Sequence, residues 1–350
     1  MENTLKKRPC TEVKYHGLYD GKSLLPYAIE RNWELKRSKI NYDIEILTKL
    51  NQKSITIKLS DSVPFERVHA ILCKILRYEC LFDGRFFKMN KYEVDGIDIT
   101  AEMRENMLSY YEGKRAYTIF SQPVNDMAYK RGFCAWERYD KKALQMDQMF
   151  YYIGFGDGLT ADLRLALFSE IFEPLSEYLA SLQKIQINCS QPPKQRNTKC
   201  PQCGCKYKIS IPSIPSFKDK IDSVIQGYGR TAFNGDNIPE ILKRTVNTRN
   251  KMLHVDAKKE DAMTGGQCGF YIRKYVELYR VVVLSELKLW NADLENELAE
   301  AINGYNADFK KLRIKKKGKK RQQYTTGTMI RKRRCECLRL FVMYVSFILL

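Results

Sequence analysis

The hydrophobic period changes near residue 155, and that change constrains the chain more than any other feature. Before it, Ser54-Ile-Thr-Ile-Lys-Leu59 alternates apolar and polar residues, the mark of a half-buried strand. Phe65, Val68, Leu72, Ile75 and Leu76 then form one helical stripe behind Ser62-Val-Pro64, and Asp83-Gly84 signals a turn. Arg85 to Ile99 reads as extended and Ala101 to Tyr111 as helical, so residues 1–155 read as an α+β domain. After Tyr152-Ile-Gly-Phe-Gly-Asp-Gly158, helical spacing takes over. This Gly-rich stretch lacks the Lys-Ser/Thr of a phosphate loop and reads as a turn between domains. Ala161 to Gln183 is amphipathic with Pro174 splitting it, Lys218 to Ile225 is a short helix, and Ile238 to Val255 starts with Asn237 as cap and Pro239 in its first turn. Phe270 to Trp290 places Ile272, Val276, Tyr279, Val283 and Leu287 on one face. Residues 156–305 therefore predict an antiparallel helix bundle.

Charge separates the rest. The chain of 350 residues carries a formal +19. From Lys310 to Leu350 it holds 14 basic residues and one acid, a local +13, which leaves +6 for the first 309 residues. Residues 306–350 are thus a polybasic tail, suited to non-specific contact with RNA phosphates, and it closes on the apolar run Leu340–Leu350. That run is too short to span a bilayer comfortably; a terminal helix, a dimer contact, a weak membrane anchor or an abnormal end of the reading frame all fit it. The N-terminus has no secretory h-region, so a cytoplasmic protein is expected, with its eleven cysteines mostly reduced.

Two residue clusters carry chemistry. Cys189-x10-Cys200-Pro-Gln-Cys203-Gly-Cys205 contains a Cys-Pro-x-Cys-Gly knuckle, a turn that aims two thiolates at one ion, with Cys189 and Cys205 able to complete a four-cysteine site. Structural zinc is the expectation beside free thiols and a redox pair; four thiolates would close the site to catalysis. The second cluster is Arg249-Asn-Lys-Met-Leu-His254, one of only three sequence neighbourhoods that contain a histidine. At 100° per residue, with Leu242 as zero, Arg249 falls at about 340°, inside the stripe formed by Val246 and Leu253. A charge there needs a partner or an anion. One reading is a buried bridge to Glu277 or Glu286, with His254 an ordinary surface residue.

The other reading comes from a family likeness. Arg249-Asn250-Lys-Met-Leu-His254 resembles the R-x4–6-H motif of HEPN-domain ribonucleases, and the domain order is most similar to ApeA-like HEPN proteins of prokaryotic antiviral defence. The likeness covers roughly residues 160–300. It implies a HEPN-like helical bundle and a homodimer in which two motifs meet on one RNA strand. It also implies metal-independent cleavage: His254 as general base or acid, Arg249 holding the phosphate and Asn250 supporting it. A defence or toxin endoribonuclease acting on RNA, tRNA included, is the function expected. A catalytically silent HEPN module that binds RNA or protein as a scaffold is the alternative, and a membrane-associated regulator rests on the tail alone.

Overall fold

Strands dominate the first hundred residues because apolar side chains alternate with charged ones over long runs. In β3 (Ile40–Lys49), Tyr42, Ile44, Ile46 and Thr48 are buried while Asn41, Asp43, Glu45 and Lys49 face out. The same alternation builds β1 (Pro9–Leu18), β2 (Ile29–Arg37) and β4 (Gln52–Pro64). Together with β5 (Lys88–Val94) and β6 (Ile97–Asp98) they form one antiparallel sheet in the order β2-β3-β4-β1-β5-β6. In this computed structural model the described residues are 3–19, 29–37, 40–49, 51–106, 111, 115–254 and 261–318. The described residues up to Tyr305 make one compact unit, and those from Asn306 on belong to a second.

One face of the sheet is covered by α2 (Phe65–Asp83), whose Phe65, Val68, Leu72 and Ile75 meet Ile55 and Ile57 in the core; α1 (Asn3–Lys7) is a single turn before β1. Gly84 ends α2 in the left-handed conformation (φ 64°), where a Cβ would strike the Thr118 carbonyl. Lys53 reaches from the sheet to ion-pair with Glu79 and Asp83 on α2, all three buried, and Tyr129 donates to Glu79. This burial of charge is tolerable only because every partner is present.

After α3 (Thr100–Asn106) the remaining helices are α4 (Asp126–Lys142), α5 (Leu144–Phe155), α6 (Ala161–Ser169), α7 (Phe172–Ser181), α8 (Phe217–Tyr228), α9 (Ile238–Leu253), α10 (Gly265–Glu286) and α11 (Ala292–Gly318). Between α7 and α8 stands a hairpin of β7 (Lys194–Lys199) and β8 (Lys206–Ile211). The break between α6 and α7 falls at Glu170–Ile171, and Pro174 sits in the first turn of α7, where its missing N–H is harmless. Asn237 caps α9 through its side chain, and Pro239 lies in that first turn.

The fold class differs from the sequence expectation. The molecule is mixed α/β around a six-stranded antiparallel sheet; it is not an α+β domain followed by a clear HEPN-like antiparallel helix bundle. The physical reason lies in α10. Its apolar residues cover the whole circumference, with Tyr275, Leu278, Val282 and Leu284 as buried as the expected stripe, so it is wrapped on every side. Arg280, fully buried, donates to the carbonyls of Leu81 (2.7 and 3.1 Å) and Phe82 (3.3 Å) and to Glu277 (2.7 Å). Both carbonyls belong to the last turn of α2; the Phe82 carbonyl also accepts from the Phe120 N–H (2.8 Å), and Arg280 supplies the donors to Leu81, so a helix late in the chain completes one that lies on the sheet. Trp33 of β2 likewise packs against Tyr129 and Phe133 of α4.

Candidate active site

α9 presents its buried face through Ile241, Leu242, Thr245 and Thr248. On the helical wheel those positions centre near 290°, so the buried stripe is rotated about 50° from Arg249. Arg249 therefore sits at the margin, with a side chain 21% exposed. Its guanidinium grips Glu170, the residue that ends α6, at two points: Nε donates to Oε1 and Nη2 to Oε2 (3.2 Å). A planar fork on a carboxylate is the strongest ordinary ion-pair geometry. The bond to Glu170 holds Arg249 even more firmly protonated. Nη1 also donates to Asn250 Oδ1 (3.3 Å), and the guanidinium lies 4.5 Å from the Phe217 ring centroid. The carboxylate partner is Glu170, not Glu277 or Glu286. Glu277 accepts from Thr118 (2.7 and 2.8 Å) and Arg280, while Glu286 faces Lys184 (3.7 Å) and Tyr228 (3.4 Å).

His254 closes α9. Its backbone N–H bonds the Asn250 carbonyl (3.0 Å), and its ring is exposed, with no side-chain hydrogen bond among the described residues. Arg249 and His254 are five residues apart, about 140° around the axis. Within one chain, then, Arg249, Asn250, Glu170 and Phe217 come together and His254 looks elsewhere.

Next to this group lies a cleft of about 470 Å³, lined by Lys218, Asn237, Glu240, Lys243, Val246 and Asn247 among others. On the wheel, Lys243, Val246, Asn247, Asn250 and His254 all fall between about 40° and 140°. The α9 wall of the cleft thus continues into Asn250 and His254. Lys218 and Lys243 place two ammonium groups on it against the carboxylate of Glu240, and Lys243 is paired with Asp261 (2.8 Å). Glu170, Phe217 and this cleft were not legible from spacing, since Glu170 is 79 residues from its partner.

The cysteine cluster is partly assembled. Cys200, Cys203 and Cys205 share the tip between β7 and β8, where the Cys200 N–H bonds the Cys205 carbonyl (2.9 Å) and the Gly204 N–H bonds the Cys200 carbonyl (2.9 Å). Gly204 takes φ 71°, the left-handed conformation the knuckle turn needs. Hydrogen bonds from the Cys205 backbone and from the Cys205 and Cys200 thiols pull the Cys203 thiol below its ordinary range. Cys189 stands apart, its thiol directed to the Gln191 carbonyl (3.5 Å). Among the described residues, no group of three or more His, Cys, Asp or Glu is gathered closely enough to hold a metal.

The other histidines have structural surroundings. His69 bonds the Tyr92 hydroxyl (2.9 Å) and stacks on Phe65, and burial pushes it down to about 4; His16 bonds Ser54 (2.9 Å) on the sheet. No helix of the described residues is long and apolar enough to cross a membrane, and the apolar run 340–350 lies outside them. In comparisons with known proteins, no family model, no curated protein and no solved structure matches the chain.

Proposed function

We propose that this chain is a metal-independent endoribonuclease of the HEPN kind, cytoplasmic and of a defence or toxin type, that cuts RNA by attack of a ribose 2′-oxygen. One observation carries the reading: Arg249 offers its fork to a two-oxygen anion beside a polar cleft that contains Lys218 and Lys243, and Glu170 fills the place that two phosphate oxygens would take. His254 removes the 2′-hydroxyl proton or protonates the leaving 5′-oxygen. Arg249 neutralises the charge that grows on the phosphate as the 2′-oxygen attacks, and Asn250 holds the guanidinium in place. The products are a 2′,3′-cyclic phosphate and a 5′-hydroxyl. DNA has no 2′-hydroxyl and is not a substrate.

The 140° between Arg249 and His254 fits a site composed by two copies, the His254 of one approaching the Arg249 of the other; a homodimer is therefore part of the reading. Cys200, Cys203 and Cys205, with Cys189 drawn in, would hold a structural zinc that staples a hairpin lacking a core of its own. The same Arg249–Glu170 bridge favours a second reading, a catalytically silent RNA-binding or protein-interaction scaffold in which the pair only fastens α9 to α6. Inducible expression of wild type and His254→Ala, followed by growth curves and mapping of total-RNA ends, separates the two. Growth arrest with new cyclic-phosphate ends in wild type alone supports the nuclease; identical RNA in both strains supports the scaffold.

A further inference from the structure

The hairpin β7–β8 is built unlike the rest of the chain. Between Glu177 and Asp219 the sequence has no acidic residue, and the hairpin itself carries Lys194, Arg196, Lys199, Lys206 and Lys208. Every residue of β8 is exposed, and in β7 only Thr198 is partly covered, so neither face of the ribbon packs on the body. The register pairs Gln195 with Ser210, Asn197 with Lys208 and Lys199 with Lys206. Cross-strand partners share a face, so Lys199, Lys206 and Lys208 stand together among Gln195, Asn197 and Ser210. Lys199 and Lys206 are directly opposite each other, an arrangement that destabilises a ribbon unless an anion lies across it. Lysine on an edge strand also discourages strand pairing, but charges of either sign do that and no acid-free run is needed for it.

We propose that the β7–β8 hairpin is an RNA-binding arm whose Lys199–Lys206–Lys208 face holds the phosphodiester backbone and feeds it to the α9 cleft. Lys206 and Lys208, two residues apart on one strand, are spaced like successive phosphates, and the amide and hydroxyl side chains between them donate to phosphate or sugar oxygens. The arm is close to the site. Five residues separate Ile211 from Phe217, six steps that span at most about 20 Å, and the Phe217 ring lies under Arg249 while Lys218 lines the cleft. A strand held on the arm therefore passes the fork of Arg249. Contacts of this kind position RNA without reading its sequence.

The proposal rests on RNA as the substrate but not on cleavage, so its test uses a 2′-O-methyl RNA stem–loop, whose blocked 2′-oxygen cannot attack. Fluorescence anisotropy of a fluorescein-labelled stem–loop with the full chain gives log affinity against log salt. Replacing Lys199, Lys206 and Lys208 together by Gln is expected to shrink the slope by roughly 2 to 3, at about 0.7–0.9 per lost phosphate contact. Replacing the same three by Arg should leave the slope as in wild type. A slope unchanged by the Gln substitutions overturns the proposal, and so does a slope lost in the Arg protein, because charge is then not what binds. Vesicles of phosphatidylserine and phosphatidylcholine serve as the second arm: if the Gln protein loses vesicle binding while its RNA slope stays, the hairpin is a membrane contact and the proposal fails.

Discussion

Glu170→Gln and Arg249→Ala separate an anion site from a structural brace. The pair is about a quarter exposed, with side chains 21% and 26% accessible. Exposed pairs contribute ~0.2–1 kcal/mol and fully buried ones cost ~3–5 kcal/mol to break, so this two-point bridge is worth about 1 kcal/mol. The Arg249–Phe217 stacking adds about 0.5–1 kcal/mol, which Arg249→Ala also removes. For a chain of this size each kcal/mol moves Tm by roughly 2 °C. Arg249→Ala should therefore lower Tm by roughly 4 °C and Glu170→Gln by roughly 2 °C, both still cooperative by calorimetry. Their effects on RNA should be opposite. Arg249→Ala abolishes cleavage, whereas Glu170→Gln frees the fork and raises RNA affinity about fivefold, the equivalent of the about 1 kcal/mol no longer spent on the bridge. Anisotropy and a gel-based cleavage assay on the two purified proteins read this out. If Glu170→Gln abolishes cleavage as fully as Arg249→Ala with the fold intact, Glu170 is not a stand-in for phosphate and the reasoning fails.

Purified protein should contain about one zinc per chain, and Cys203→Ser should lower both zinc content and Tm; elemental analysis without zinc after chelator-free purification contradicts this. Removing residues 310–350 should flatten the salt dependence of RNA binding with little change in the preferred sequence, which competition between RNAs at two salt concentrations will show. Asp147 is fully buried, and desolvation together with the neighbouring Asp140 raises its pKa well above the ordinary value, Arg77 opposing. The neutral acid thus stabilises the fold below about pH 4, and that contribution is lost as pH rises through the folded value. Asp147→Asn should flatten the fall of Tm with rising pH above about 4; an unchanged pH profile contradicts the assignment.

How far the sequence reveals the molecule depends on whether a signal is local. The Asn237 cap and Pro239 in the first turn are local chemistry, and α9 starts where they place it, ending at Leu253, two residues before the expected Val255. The Asp83-Gly84 turn and the stripe of α2 are equally plain. Long strands were harder to read, because charged residues sit at inward positions of the sheet. Arg31 and Lys53 break the alternation, and only their partners explain them: Asp126 (2.9 Å) for Arg31, and Glu79 and Asp83 for Lys53, between 26 and 95 residues away. The fold class failed for the same reason, since the tie between Arg280 and the end of α2 spans 199 residues. At the site, helical geometry places Arg249 inside the apolar stripe with Val246 and Leu253, whereas the buried face runs through Ile241, Leu242, Thr245 and Thr248 and leaves Arg249 at its margin. It could not choose Glu170 over Glu277 and Glu286, because the packing of α6 on α9 makes that choice.

Cleavage of RNA by purified protein in excess EDTA, with chemical analysis of the new 3′ ends, tests the central claim most directly. The account predicts fragments ending in 2′,3′-cyclic phosphate from the wild type and a loss of roughly 10²- to 10⁴-fold in rate for His254→Ala at unchanged Tm. Cleavage that persists in the His254→Ala protein, or that stops when divalent metal is removed, contradicts it.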